Sequence, residues 1–200
     1  NQLAGCNKPG AYFNANQNRV HRYAVRGKTK ALPLPQKKWS NMNDDYKTTI
    51  CIDPDIDKSG VAIYHDKKLV SLESLGFYDL IQRLEIEKEN GCGMCSVLLE
   101  AGWLNKSNSH LEYRDKKGKT VKLNARAAAE VGRDVGRNHE VGILIAEMCE
   151  GMGIPCRLIK PITPNLWKHD AEMFKKITGH KGVTNPEKRD AAMIGFMHIK

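Results

Sequence analysis

The stretch that decides the fold is Thr49-Ile50-Cys51-Ile52-Asp53-Pro54-Asp55-Ile56-Asp57-Lys58-Ser59-Gly60-Val61-Ala62-Ile63-Tyr64. Two short runs rich in β-branched residues flank an acidic turn that contains a glycine, the sequence form of a β-hairpin with a longer loop. Period-2 alternation puts Ile50 and Ile52 on one face and Cys51 on the other, and it delivers Asp53 to the end of the first strand. A carboxylate at a strand end, beside further acids, is a candidate metal ligand. Aspartate also favours turns by bonding its own backbone, so on this stretch alone Asp53, Asp55 and Asp57 stand open between ligand and turn former.

Outward from the hairpin, the chain of 200 residues is long enough for one domain with a sizeable core, with 40% hydrophobic and 28% charged residues. It has no apolar run near the roughly 18 residues that span a bilayer. Its start shows no secretory signal pattern, so the expected setting is cytoplasmic, or the host cytoplasm for a phage-encoded chain, without a membrane partner. Six cysteines are too few for a disulfide scaffold at this length. Cys92-Gly93-Met94-Cys95 has C-x-x-C spacing but lacks the second pair that a zinc site wants. Cys51 and Cys149 sit in apolar contexts, where thiols pack as small hydrophobes.

The formal charge is +9, of which +7 falls in residues 1–48, where nine Lys and Arg oppose Asp44 and Asp45. These residues show no sustained period and contain pieces such as Asn14-Ala15-Asn16-Gln17-Asn18 and Leu32-Pro33-Leu34-Pro35. They read as an irregular basic arm, with at most a short strand over 19–25. Concentrated positive charge suits contact with phosphates, and Tyr12, Phe13, Tyr23 and Trp39 would stack on bases or pin the arm to the core.

From residue 49 onward the pattern is regular. Strands are expected at 49–52, 60–65 and 67–72, then a helix from Phe77 that ends near Asn90-Gly91. The continuously apolar run 96–101 reads as a strand buried on both faces. A polar loop over 104–123 leads to a long helix over 125–150, whose Gly132, Gly136 and Gly142 suggest close approach of a neighbour. A fifth strand over 154–159, a lysine-rich helix over 167–177 and a last helix opened by Pro186 complete the chain. The strand, helix, strand unit over 96–159 implies parallel pairing. The class is α/β: a mixed sheet of three antiparallel strands followed by parallel ones, flanked by helices, over residues 49–200.

In this arrangement Asp53 and Glu100 end neighbouring parallel strands, while Glu187 and Asp190 are three apart on the last helix and can face one point. Four clustered carboxylates repel unless a cation neutralises them, and hard divalent ions, Mg²⁺ above all with Mn²⁺ as substitute, prefer such oxygens. Two such ions would serve phosphodiester hydrolysis. The bland explanation of Glu187 and Asp190 is that first-turn acids complement a helix dipole, and of Arg189 that it is a surface charge.

Asp53-Pro54 with Ser59-Gly60-Val61-Ala62, then Leu98-Leu99-Glu100, then Glu187-Lys188-Arg189-Asp190-Ala191-Ala192 resembles the ribonuclease H-like superfamily and, within it, RuvC-type Holliday junction resolvases, particularly their phage relatives. The likeness covers about residues 49–197. It implies a metal-dependent, structure-selective endonuclease, usually a homodimer, that nicks branched DNA. By position it makes Asp53, Glu100, Glu187 and Asp190 the catalytic, metal-binding acids, and it puts Lys168, Lys175, Lys176 and Lys181 beside the cleaved strand. Asp55 stands where these enzymes often have Gly, and the segment from Gly179 to Glu187 is shorter than in the bacterial proteins; both differences bear on junction selectivity more than on metal chemistry.

Two other readings compete. A catalytically silent nucleic-acid-binding or architectural protein would keep the fold and the arm, although unneutralised buried acids would be costly to it. A phosphate transferase of the actin-like fold needs a second glycine-rich hairpin and a second lobe, for which 200 residues leave no room.

Overall fold

The computed structural model describes residues 46–91, 94–105, 112–114 and 119–199. The basic arm, apart from its last three residues, and Cys92 therefore lie outside the described residues.

Strands β1 (Thr48–Asp53), β2 (Ser59–His65) and β3 (Lys68–Leu75) form the expected meander. The β2–β3 turn is made by Asp66 and Lys67, both at positive φ (46° and 66°), the turn geometry whose twist matches a hairpin. Helix α1 (Phe77–Asn90) leads to β4 (Cys95–Glu100) and a 3-10 turn at Gly102–Leu104. The stretch expected to be a loop contains a small hairpin, β5 (Glu112–Arg114) with β6 (Thr120–Lys122); strands of three residues are too short to carry a readable period. Helix α2 (Ala125–Met152) and strand β7 (Cys156–Ile159) follow. That strand starts two residues later than expected, after Pro155, which has no amide hydrogen for the ladder.

The lysine-rich helix expected over 167–177 divides in two. Leu166–Lys168 is a separate 3-10 turn, and α3 (Ala171–Thr178) begins only after Asp170, whose carboxylate accepts from Met173 N at 2.9 Å as an N-cap. Helix α4 (Pro186–His198) closes the described chain.

The main sheet has the order β3-β2-β1-β4-β7, with β1 antiparallel to β2 and parallel to β4, and β4 parallel to β7. This is the ribonuclease H-like topology. Strand alternation feeds two cores. Ile50, Ile52, Val61, Ile63, Val97 and Leu99 pack with Leu80 and Leu84 of α1 and with Val141 and Ile145 of α2. On the opposite face Cys51, Ala62, Tyr64 and Leu98 meet Trp167, Phe174 and the α4 residues Ala191, Ala192, Met193 and Ile194. Helix α4 is buried all round from Arg189 to Gly195, which is why it shows no amphipathic stripe. Burial of Met193 and Ile194 alone contributes about 1.5–3 kcal/mol each.

Three contacts fix α4 over the β1–β2–β3 meander. Asn185 caps the helix by accepting from Lys188 N at 2.9 Å, and its amide donates to Ser74 Oγ of β3 at 3.0 Å. Tyr64 Oη donates to Ala192 O at 2.6 Å. At Gly60, the ladder partner of Asp53, a Cβ would stand 2.1 Å from Glu187 O. The first turn of α4 thus rests on strand backbone where only glycine leaves room. Of the α2 glycines, Gly142 lies against Trp103 and Pro54, whereas Gly132 and Gly136 have nothing within 4 Å among the described residues. No helix among the described residues is long and apolar enough to cross a membrane.

Gly60→Ala is expected to cost about 2 kcal/mol or more in urea unfolding, because the added methyl meets backbone that cannot rotate away. Gly132→Ala, in open space on a helix, is expected to gain up to about 1 kcal/mol. Equal effects of the two substitutions would contradict the close approach of α4 to β2.

Candidate metal-binding site

Strand parity decides which acids meet. Cys51 and Leu98 are register partners facing α4, and Ile52 and Leu99 are partners facing α1 and α2. One residue further on, Asp53 and Glu100 both turn back to the α4 side. There α4 presents Glu187 in its first turn and Asp190 one turn later. Asp53 and Asp190 are 8% and 5% exposed; Glu100 and Glu187 are half-buried.

The charge at the centre of these acids belongs to the protein. Lys168 Nζ lies 2.6 Å from Asp190 Oδ2 and 3.8 Å from Asp53 Oδ2. Trp167 Nε1 donates to the other Asp190 oxygen at 3.0 Å. Arg189, for which a surface charge was the bland alternative, is 6% exposed and holds the turn that carries Lys168. Its Nε donates to Lys168 O at 3.1 Å, its Nη2 donates to the same carbonyl, and its Nη1 donates to Thr184 O and Oγ1 at 3.2 and 3.1 Å.

Electrostatics register the crowding. Burial pushes the Asp53 carboxyl well above the usual carboxylate range, Glu100 pushes it further, Lys168 opposes, and Asp190 and then Glu187 add to the rise. Glu100 is raised to about 7, first by burial and then by Asp190, against Lys168. For Lys168, burial disfavours the charge, but Asp53, the hydrogen bond to Asp190 and the negative charges of Asp190 and Glu100 outweigh it and raise its pKa.

Among the described residues, no three His, Cys, Asp or Glu side chains gather closely enough to hold a metal ion. Asp53 and Asp190 turn to the Lys168 ammonium instead. The donor set nevertheless suits a hard divalent ion: every donor is a carboxylate oxygen, and two of them already share one cation.

The other expected residues fall elsewhere. Lys175 and Lys176 are in the last turn of α3, with Lys175 Nζ 2.9 Å from Glu172 Oε1; Lys176 and Lys181 are exposed. Asp55 acts within its turn, accepting from Asp57 N at 2.9 Å and from Asn138 Nδ2 at 3.1 Å, while Ile56 N donates to Asn138 Oδ1 at 3.0 Å. Asn138 and the Trp103 and Pro54 contacts at Gly142 make α2 a brace for the loops that follow Asp53 and Glu100. An open cleft of about 460 Å³ lined by Leu104, Asn105, Lys160, Pro161 and Thr163 adjoins the ends of β4 and β7. Cys51, Cys95 and Cys149 are buried, and burial lifts the Cys95 thiol to about 11, as suits packing rather than reactivity.

Sequence reasoning missed Trp167, Arg189 and Asn138 as parts of this region. Only for the first did a signal exist: Asp170 as an N-cap separates the Trp167-Lys168 turn from the helix after it.

No protein family matches the chain by sequence, and no curated protein matches it. Among solved structures it is similar to Thermus thermophilus RuvC in complex with a Holliday junction substrate, at 17% identity over 76% of this chain and 91% of that one, with a TM-score of 0.45. It is likewise similar to a Thermus thermophilus RuvC structure, at 17% identity over 76% and 92%, with a TM-score of 0.41.

Glu100 binds its proton more tightly folded (about 7) than at its ordinary value of 4.5. The stability this proton contributes is complete below about pH 4.5 and is lost as pH rises to about 7. Thermal unfolding without added divalent ion is expected to show that fall, and Glu100→Gln is expected to flatten it. An unchanged pH profile in this variant would contradict the electrostatic coupling.

Proposed function

We propose that this chain is a Mg²⁺-dependent, structure-selective DNA endonuclease, with Mn²⁺ as substitute, that nicks branched DNA such as Holliday junctions. The observation that carries the reading is the group of mutually repelling acids, Asp53, Glu100, Asp190 and Glu187, coupled at one edge of a ribonuclease H-like sheet. Burying such charges is costly unless a cation shares them. These four residues would hold the metal, which when bound supplies Lewis-acid activation of water and stabilisation of the leaving oxygen.

The remaining roles fall to the chain's own residues. Gly60 and Asn185 seat α4 so that Asp190 reaches the strand ends, and Arg189 and Trp167 orient Lys168 and Asp190. Lys175, Lys176 and Lys181 offer positive charge to the DNA backbone from α3 and the connection that follows it. Residues 1–48 supply further phosphate contacts, and a homodimer would present two sites to the two strands of a junction.

One observation favours a second reading. Lys168 already pairs with Asp190 and stands near Asp53, so a catalytically silent DNA-binding protein could keep these acids at lower cost than their number suggests.

Nicking of a synthetic four-way junction separates the two. Asp53→Asn is expected to lower the Mg²⁺-dependent nicking rate at least about 100-fold while junction affinity in Ca²⁺ changes little. Wild-type protein that binds the junction but never nicks it, with either Mg²⁺ or Mn²⁺, would favour the silent protein. Removal of residues 1–47 is expected to weaken binding and to reduce the slope of log affinity against log salt by about 0.9 for each phosphate that the arm neutralises; identical slopes for both forms would remove the arm's role.

A further inference from the structure

We infer that Lys168 is a tethered cation that competes with the divalent ion for Asp53 and Asp190, so that loading the site requires the ammonium to leave. The inference rests on reading Asp53, Glu100, Asp190 and Glu187 as the metal-holding acids, and it assigns Lys168 a role other than flanking the cleaved strand.

Position comes first. The ammonium stands between the two most buried acids, at 2.6 and 3.8 Å from their oxygens. Both oxygens face a cation at this point, Asp190 Oδ2 in direct contact with Lys168 and Asp53 Oδ2 at ion-pair distance. Two unit charges of opposite sign at such distances attract by several kcal/mol even at intermediate dielectric, and an ammonium and a divalent ion side by side would repel on the same scale.

The placement is built rather than incidental. Arg189 is buried, and a buried guanidinium is tolerated only when its donors are used. Its guanidinium donates to Lys168 O and to Thr184. Arg189 therefore acts as a positioning residue, fixing the backbone of Lys168 to the helix that carries Asp190. Trp167, one residue earlier, holds the second oxygen of the same carboxylate. The backbone is pinned, yet the Lys168 side chain is 29% exposed, so its four-carbon stem can carry the ammonium outward without unseating the turn. A lysine thus neutralises the acids before loading and can yield to an ion of higher charge.

Calorimetric titration of the full chain with Mn²⁺ tests the competition. Lys168→Met is expected to bind Mn²⁺ about tenfold more tightly than wild type, the usual size of coupling between ligands that exclude each other. Lys168→Arg, which keeps a cation at the site, is expected to stay within about threefold of wild type. Lys188→Met removes the same charge from α4 without touching the acids and is expected to change affinity less than about twofold at 0.15 M salt. Thermal unfolding is read in parallel: Lys168→Met is expected to be less stable than wild type without metal and to gain more from Mn²⁺, a result that stands even where the variant is only part-folded before metal is added. Equal or weaker Mn²⁺ binding by Lys168→Met, with wild type binding normally, would overturn the competition and leave the metal-site reading intact. Absence of Mn²⁺ binding in every form would overturn the metal-site reading and the competition with it.

Discussion

Asp53 and Asp190 are buried side by side with a single ammonium between them, and most of the architecture around the sheet edge follows from keeping that arrangement together. Carboxylates removed from water lose hydration that only an opposite charge or good hydrogen bonds can replace. Lys168 supplies the charge, Trp167 supplies a donor, and Arg189 ties the turn that carries both to α4. The cluster is in turn possible only because α4 lies directly on β2. Gly60 is where that contact is made, and the same residue is the ladder partner of Asp53. One glycine therefore links the geometry of the hairpin to the position of Asp190, which is 130 residues later in the chain and adjacent in space.

Much of this was legible in the sequence, for reasons that differ by residue. The alternation of Ile50, Cys51 and Ile52 gives the face on which Asp53 emerges, and the same parity at Leu98, Leu99 and Glu100 brings the second acid to it. Both follow from local period-2 alternation, which the strand geometry preserves. The strand, helix, strand unit implied the parallel pairing of β4 with β7, which the sheet shows. Sites assembled from non-local hydrogen bonds were not legible. Arg189 looks like any helix-surface arginine until the 166–168 turn is folded against it, and Trp167 looks like a helical aromatic because the break at Asp170 is marked by one capping residue. Lys168 is the instructive case: grouped by composition with Lys175, Lys176 and Lys181, it reads as one of a basic set, yet it sits among the acids. The β5–β6 hairpin escaped for the opposite reason, since three-residue strands carry no period.

The balance between the acids and Lys168 also bears on what the fold does. A permanent neutralising lysine lowers the cost of keeping four acids together, so the acids alone do not separate a nuclease from a binding protein of the same topology. What separates them is whether a divalent ion can displace the ammonium. Asp53 and Glu100 remain raised in pKa despite Lys168, first by burial and then by the neighbouring carboxylates, and an ion of charge two would offset more of that repulsion than one ammonium does.

Anomalous scattering from crystals soaked in Mn²⁺ tests that displacement most directly. The expected result is a Mn²⁺ peak coordinated by Asp53, Glu100 and Asp190, with Lys168 Nζ moved off Asp190. Crystals saturated with Mn²⁺ that show no peak at these acids, with the ammonium still between Asp53 and Asp190, would contradict it.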